Sequence, residues 1–126
     1  MARGKALDEE ILTDSTYYIL LALAKPNHGY GIMQDIELFS QGTVVIGPAS
    51  LYTILKKLQT AELIELVADE ERRKTYKLTQ KGKDILQKDI RRRKVMVEHG
   101  MKVMKLLEED GVQGEDNGRA RPGRPR

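Results

Sequence analysis

The spacing of apolar positions divides the chain into several short segments and one long one. The first is the run Tyr17-Tyr18-Ile19-Leu20-Leu21-Ala22-Leu23-Ala24. Thr13 or Asp14 can cap it as a helix, and Pro26 and Asn27 stop it. No side of this helix is polar, so neighbours must enclose it on several sides, with a second subunit as the natural candidate for one of them. A turn at Pro26-Asn27-His28-Gly29 leads into a second helix near Tyr30 to Phe39, in which Ile32, Ile36 and Phe39 share a face while Gln34, Asp35 and Glu37 point away. Gln41-Gly42 ends it.

After an extended piece from Thr43 to Ile46, Gly47-Pro48 opens a third helix, with proline in the first turn where its missing N–H costs nothing. Leu51, Ile54, Leu55 and Leu58 recur there at helical spacing and make one narrow apolar stripe. With that stripe turned inward, Ala49, Thr53, Lys56 and Thr60 lie opposite, and Ser50, Tyr52 and Lys57 flank them. The exposed face is therefore small, hydroxylated and basic.

Two strand-like segments follow, Ile64 to Ala68 and Lys74 to Leu78, joined by Asp69-Glu70-Glu71-Arg72-Arg73. Thr75, Lys77 and Thr79 alternate with Tyr76 and Leu78, the period of a half-buried strand, and together the segments predict a β-hairpin with a charged tip. Thr79 then caps a last helix reaching about Glu109, roughly 45 Å at 1.5 Å per residue. Its Leu86, Ile90, Val97, Met101, Met104 and Leu107 recur at helical steps, interrupted by the basic run Arg91-Arg92-Arg93-Lys94. From Gly111 onward Gly, Pro, Arg, Asn and acids predominate, too polar to fold.

The expected organisation is a flexible arm over 1–10, a winged helix-turn-helix DNA-binding domain over 11–78, a dimerisation helix over 79–110 and a disordered Arg/Pro/Gly tail over 111–126. The fold class is mainly α with a small β-hairpin. Helix, helix, helix, hairpin is the order in which a winged helix-turn-helix presents its third helix to the DNA major groove. Ser50 and Thr53 are short groups able to reach base edges, Tyr52 flanks them, and Lys56 and Lys57 can neutralise phosphates. Arg72, Arg73 and Lys74 would bring the wing to the minor groove or the adjacent backbone, and the hydroxyls of Tyr30 and Tyr76 could reach phosphates. Blander readings stand beside these: a plain amphipathic surface helix, a turn whose cations pair with Asp69, Glu70 and Glu71, a core role for Tyr76, and a capping or packing role for His28.

The last helix cannot bury its stripe against three short helices and a hairpin, and the simplest cover is its own copy in a two-fold dimer. The expected interface is Tyr18 and Leu21 of the first helix with Leu86, Ile90, Val97, Met101, Met104 and Leu107 of the last. The seam of Met96, Met101 and Met104 reads as dimer packing, with a small-molecule site as the alternative that methionine's adaptability allows. Gly123-Arg124-Pro125 looks like the core of an AT-hook, against the plainer reading of a solubilising tail.

Composition narrows the classes further. The 126 residues include no cysteine, which removes disulfides, thiolate metal sites and Cys nucleophiles and points to a reducing compartment, so the cytoplasm is expected. Tyr17 to Ala24 is far shorter than the ~20 residues of a membrane span, and Met1 to Glu10 has no apolar core for a signal peptide. Two histidines without cysteine predict no metal, and no cofactor is indicated. The adjacent carboxylates Asp69, Glu70 and Glu71 sit on a predicted exposed turn with no nucleophile or phosphate loop, so the chain does not read as an enzyme. The net charge of +3 suggests nucleic acid, but residues 111 to 126 hold four Arg against two acids, so the local placement of Lys56, Lys57, Arg72, Arg73 and Lys74 argues better than the total.

His28-Gly29-Tyr30-Gly31, Gly47-Pro48-Ala49-Ser50-Leu51-Tyr52 with Leu55 and Leu58, and Tyr76-Lys77-Leu78-Thr79 with Gly82 resemble the PadR family of bacterial transcriptional regulators over about residues 11 to 107. The single last helix is similar to that of the smaller PadR subfamily. The resemblance implies a homodimeric repressor that binds a double-stranded inverted-repeat operator and joins through its C-terminal helices, with small phenolic or planar compounds as the effector class to test. The alternative from the residues is a winged-helix module that binds an acidic protein through the same surface. One departure from the family pattern is Glu62, where relatives commonly have Gly before the first wing strand. A non-glycine there must adopt a left-handed conformation or end the helix differently.

Overall fold

A computed structural model describes residues 11–114, with side chains to residue 110. In chain order the elements are α1 (Asp14–Ala22), β1 (Asn27–His28), α2 (Gly29–Phe39), α3 (Pro48–Thr60), β2 (Ile64–Glu70), β3 (Arg73–Leu78) and α4 (Gln80–Gly114). One unit ends at Ile90 and a second begins at Arg91. Three short helices, a hairpin and a long helix are the winged helix-turn-helix arrangement expected from the apolar pattern. The 1–10 arm, and the tail after Gly114, lie outside the described residues.

Thr13 supplies the cap of α1, its Oγ1 accepting the Thr16 N–H at 3.1 Å. Ile19, Leu20, Ala22 and Leu23 are buried, and Tyr17, Tyr18 and Leu21 pack half-buried against the same core, so this helix spends nearly all its sides within the domain. On α2, Ile32 and Ile36 point inward as expected, but Phe39 is 48% exposed. The helix ends at Phe39, and the neighbouring Ser40 turns inward instead, its Oγ accepting the Val44 N–H at 3.0 Å to staple the turn toward α3. Leu51, Leu55 and Leu58 carry the α3 stripe into the core, with Ile54 half-buried beside them.

The predicted turn at Asn27-His28 is a two-residue strand. It pairs antiparallel with β3, Asn27 opposite Tyr76 and His28 opposite Thr75, in a sheet ordered β1-β3-β2. Asn27 also fastens the start of α2: its Nδ2 donates to the Ala22 carbonyl (3.2 Å) and to Asp35 Oδ2 (3.0 Å), while its Oδ1 accepts the His28 N–H (2.9 Å). The hairpin strands are longer than expected, leaving Glu71 and Arg72 at the tip, with Glu71 in the left-handed region at φ 55°. Asp69 and Glu70 therefore belong to β2, directly opposite Lys74 and Arg73. A bulge between Leu66 and Ala68 leaves Val67 outside the register.

Between α3 and the wing, Glu62 adopts φ 65°, the left-handed option, and the chain leaves the helix in a Schellman motif: Leu63 N–H bonds the Leu58 carbonyl (2.9 Å) and Glu62 N–H the Gln59 carbonyl (3.0 Å). The same corner starts α4. Thr79 N–H donates to the Leu63 carbonyl (3.0 Å), and the Thr79 hydroxyl donates to the Glu62 carbonyl (2.7 Å) while accepting the Gly82 N–H (3.0 Å).

The opening turns of α4, expected to serve a dimerisation helix alone, belong to the first unit. Leu86, expected at a subunit interface, is 7% exposed within this chain's core, and Asp89 is fully buried with its Oδ1 3.4 Å from the Leu12 N–H. The helix also continues past Glu109 to Gly114, through part of the segment read as tail. In the second unit Val97, Met101, Met104 and Leu107 are exposed, and Arg92 Nη1 lies 3.2 Å from Met96 Sδ.

Candidate nucleic-acid interface

Because Leu51, Leu55 and Leu58 point into the core, the opposite side of α3 is set outward by the helical period, and Ser50, Thr53, Lys56 and Lys57 are all exposed. Pro48 in the first turn and Gly47 as its cap start the helix where these residues come early in it. The Thr53 hydroxyl donates to the Ala49 carbonyl at 3.0 Å, so the lone pairs of its oxygen are what it offers outward.

The wing stands beside this face across a groove. One end is bordered by His28, Gly29 and Tyr30 at the start of α2, by Tyr52, and by the tip residues Glu70 to Lys74. The other end is bordered by Tyr52, Lys56, Gln59, Asp69, Glu71, Arg72, Lys74 and Tyr76. The groove thus gathers Tyr30, Tyr52, Lys56, Arg72, Arg73, Lys74 and Tyr76, whereas Ser50, Thr53 and Lys57 lie on α3 outside its lining.

Tyr76 does not project as a phosphate ligand should. Its ring is 6% exposed, the residue facing inward from β3 as strand alternation dictates. Burial raises the phenol pKa above 10.0, and the neighbouring Tyr52 and Asp69 raise it further. It is therefore a neutral core residue that also borders the groove. The wing is less basic than its cations suggest, since Asp69 faces Lys74 and Glu70 faces Arg73 across the strands, and Glu71 adjoins Arg72 at the tip.

The sequence pattern missed the role of Gly29. A methyl group built there would run into the Tyr52 hydroxyl and sit 2.8 Å from Tyr52 Cζ. Only a glycine lets the tyrosine lie across the start of α2. A glycine at the first position of a helix, immediately before the exposed Tyr30, is a signal, but only a known partner gives it meaning.

Of the expected interface residues, Tyr18 and Leu21 are half-buried against the core, Leu86 lies within it, Ile90 is 39% exposed, and the others are exposed on the second unit. Among the described residues no cluster of His, Asp or Glu could hold a metal ion, and no helix is long and apolar enough to cross a membrane.

An uncharacterized transposon protein of Streptomyces fradiae is 34% identical over 77 residues, covering 60% of this chain and 22% of that protein. An uncharacterized protein of Lysinibacillus sphaericus is 36% identical over 70 residues, covering 52% of this chain and 64% of the other. The chain thus spans between about a fifth and two thirds of these relatives' lengths. The structure of a PadR-like transcription factor from Bacteroides fragilis shares the fold at 23% identity, with a TM-score of 0.60 over 82% of this chain and 99% of that one. The model of the PadR-like transcriptional regulators matches residues 19–88, which hold the helix-turn-helix, the wing and the opening of α4 described above. More than half of the sequence carries that match, and the chain belongs to the PadR-like family, whose members are transcriptional regulators rather than enzymes.

Proposed function

We propose that the chain is a cytoplasmic, homodimeric repressor whose two winged domains bind an inverted-repeat operator in double-stranded DNA and which a small aromatic effector releases. The observation that carries the DNA-binding reading is the adjacency of two basic elements. Lys56 on α3 and Arg72 and Lys74 on the wing border one end of the groove, Arg73 borders the adjoining end, and Ser50, Thr53 and Lys57 are exposed on α3. In this reading Ser50 and Thr53 meet base edges, the lysines and wing cations meet phosphates, and Tyr30 contacts the backbone beside the start of α2. Support for the dimer is the row Val97, Met101, Met104 and Leu107, which remains exposed at helical spacing, with Ile90 at its head.

The test is duplex binding followed by fluorescence anisotropy across a salt series. Lys56→Glu/Arg73→Glu should weaken binding strongly and flatten the salt slope by about 2, one unit for each lost phosphate contact. Unchanged affinity and slope would remove this surface from the interface. The charge-balanced wing supports a second reading, a module for an acidic protein partner, and the absence of binding by the wild type to any duplex at low salt would favour it.

A further inference from the structure

Tyr52 has two properties that do not fit a simple surface residue. It is 50% exposed, yet its hydroxyl end is lodged against the first residue of α2, where even a methyl group on Gly29 would overlap the hydroxyl and lie 3.3 Å from Cε1. It also borders both ends of the groove between α3 and the wing.

The elements around it form a closed ring of attachments. His28, immediately before Gly29, pairs with Thr75 of β3, and Asn27 pairs with Tyr76. Tyr76 in turn borders the same end of the groove as Tyr52. The ring of Tyr52 therefore spans from α3 to the strand junction that anchors the wing. A flat, rigid side chain with two rotatable bonds suits such a strut.

We propose that Tyr52 is a positioning residue for DNA recognition: seated on Gly29, its ring sets the spacing between the basic face of α3 and the wing, and its hydroxyl makes no needed contact with DNA. This deepens the DNA-binding reading and rests on it for the binding arm of the test alone. Two cationic elements that must reach one duplex together bind well only at one spacing, so a misplaced wing lowers specific binding without removing a phosphate contact.

The experiment compares Tyr52→Phe, Tyr52→Ala, Gly29→Ala and Gly29→Ala/Tyr52→Ala. The probe is a duplex recovered by the wild-type protein from a random pool, with scrambled duplex as control. Tyr52→Phe keeps the ring and should stay within about twofold of wild type, while Tyr52→Ala and Gly29→Ala each lose about tenfold on the selected duplex, with affinity for scrambled DNA and the salt slope unchanged. The double variant should be no worse than Tyr52→Ala, because the collision has gone. Amide hydrogen exchange without DNA supplies the independent arm: residues 69–75 should exchange faster in Tyr52→Ala and Gly29→Ala but not in Tyr52→Phe. If Tyr52→Phe loses as much affinity as Tyr52→Ala, or lowers the salt slope, the hydroxyl is a DNA ligand and the proposal fails. Unaltered exchange in the wing of Tyr52→Ala also overturns it. If no variant and not even the wild type selects DNA, the DNA-binding reading falls, and the exchange result still decides the strut.

Discussion

Gly82→Ala, in the first turn of α4, should destabilise the protein although alanine is the better helix former. The methyl group would overlap the Leu63 carbonyl oxygen and lie 3.0 Å from its carbonyl carbon, and because the obstacle is backbone it cannot swing aside. Moving it away strains the Thr79 N–H bond to that oxygen (3.0 Å) and, one residue back, the Thr79 hydroxyl bond to the Glu62 carbonyl (2.7 Å). Two hydrogen bonds at about 1 kcal/mol each, with about 1–3 kcal/mol for overpacking, oppose a helix-propensity gain of about 1 kcal/mol. The net is a loss of about 2–4 kcal/mol, which lowers the Tm of a domain this size by roughly 10–30 °C. Thermal unfolding followed by circular dichroism measures it. A Gly82→Ala protein that melts at or above the wild-type temperature would show that this corner has slack, and the account of how α4 is fastened to the wing would be wrong.

Glu62→Gly should raise the unfolding free energy by up to about 1 kcal/mol in urea titrations, since the left-handed φ of 65° strains any side chain more than glycine's extra unfolded-state freedom costs. Tyr76 gives a pH dependence. Its folded phenol holds its proton above the ordinary 10.0, so stability is unaffected below that range and falls as pH rises through it while the unfolded chain ionises first. Tyr76→Phe should lose less stability between neutral and strongly alkaline pH than wild type, and parallel curves for the two proteins would contradict the shift. Leu86→Ala should cost about 2–5 kcal/mol in unfolding, as befits a core side chain. Met101→Glu, on an exposed position, should instead leave the first unit's stability unchanged and convert the proposed dimer to monomer in sedimentation, whereas an unchanged mass would exclude that face from the interface.

The three short helices and the hairpin were legible because each rests on a periodicity that burial enforces: Leu51, Leu55 and Leu58 cannot face inward without turning Ser50, Thr53 and Lys56 outward. Features that depend on pairing between distant segments were not legible. Two residues have no periodicity, so β1 exists only because β3 lies beside it, and the hairpin ran longer than its apolar pattern because opposite charges at Asp69–Lys74 and Glu70–Arg73 can pair across strands where alternation has ended. Leu86 has the same spacing as Met101, and nothing local distinguishes the one that the core buries from the one left exposed. Tyr76 could be read either way until the strand register turned its ring inward. The groove itself is a property of three elements together, and Gly29 and Tyr52, far apart in sequence, become partners only in the folded chain.

The order β1-β3-β2 leaves β2 with one side unpaired by any described strand. A straight seven-residue edge carrying the exposed Leu66 and Val67 would offer a free row of amides and carbonyls to any extended chain, including another copy at high concentration. The bulge at Val67 interrupts that row midway, and Glu65, Asp69 and Glu70 place negative charge along it, so a second strand laid against β2 would lose register and meet repulsion from its own copy. The irregularity that shifts the hairpin's pairing is thus also a guard on its solubility. Deleting Val67 would restore one register along the whole edge and leave the charges of Glu65, Asp69 and Glu70 as its remaining guard.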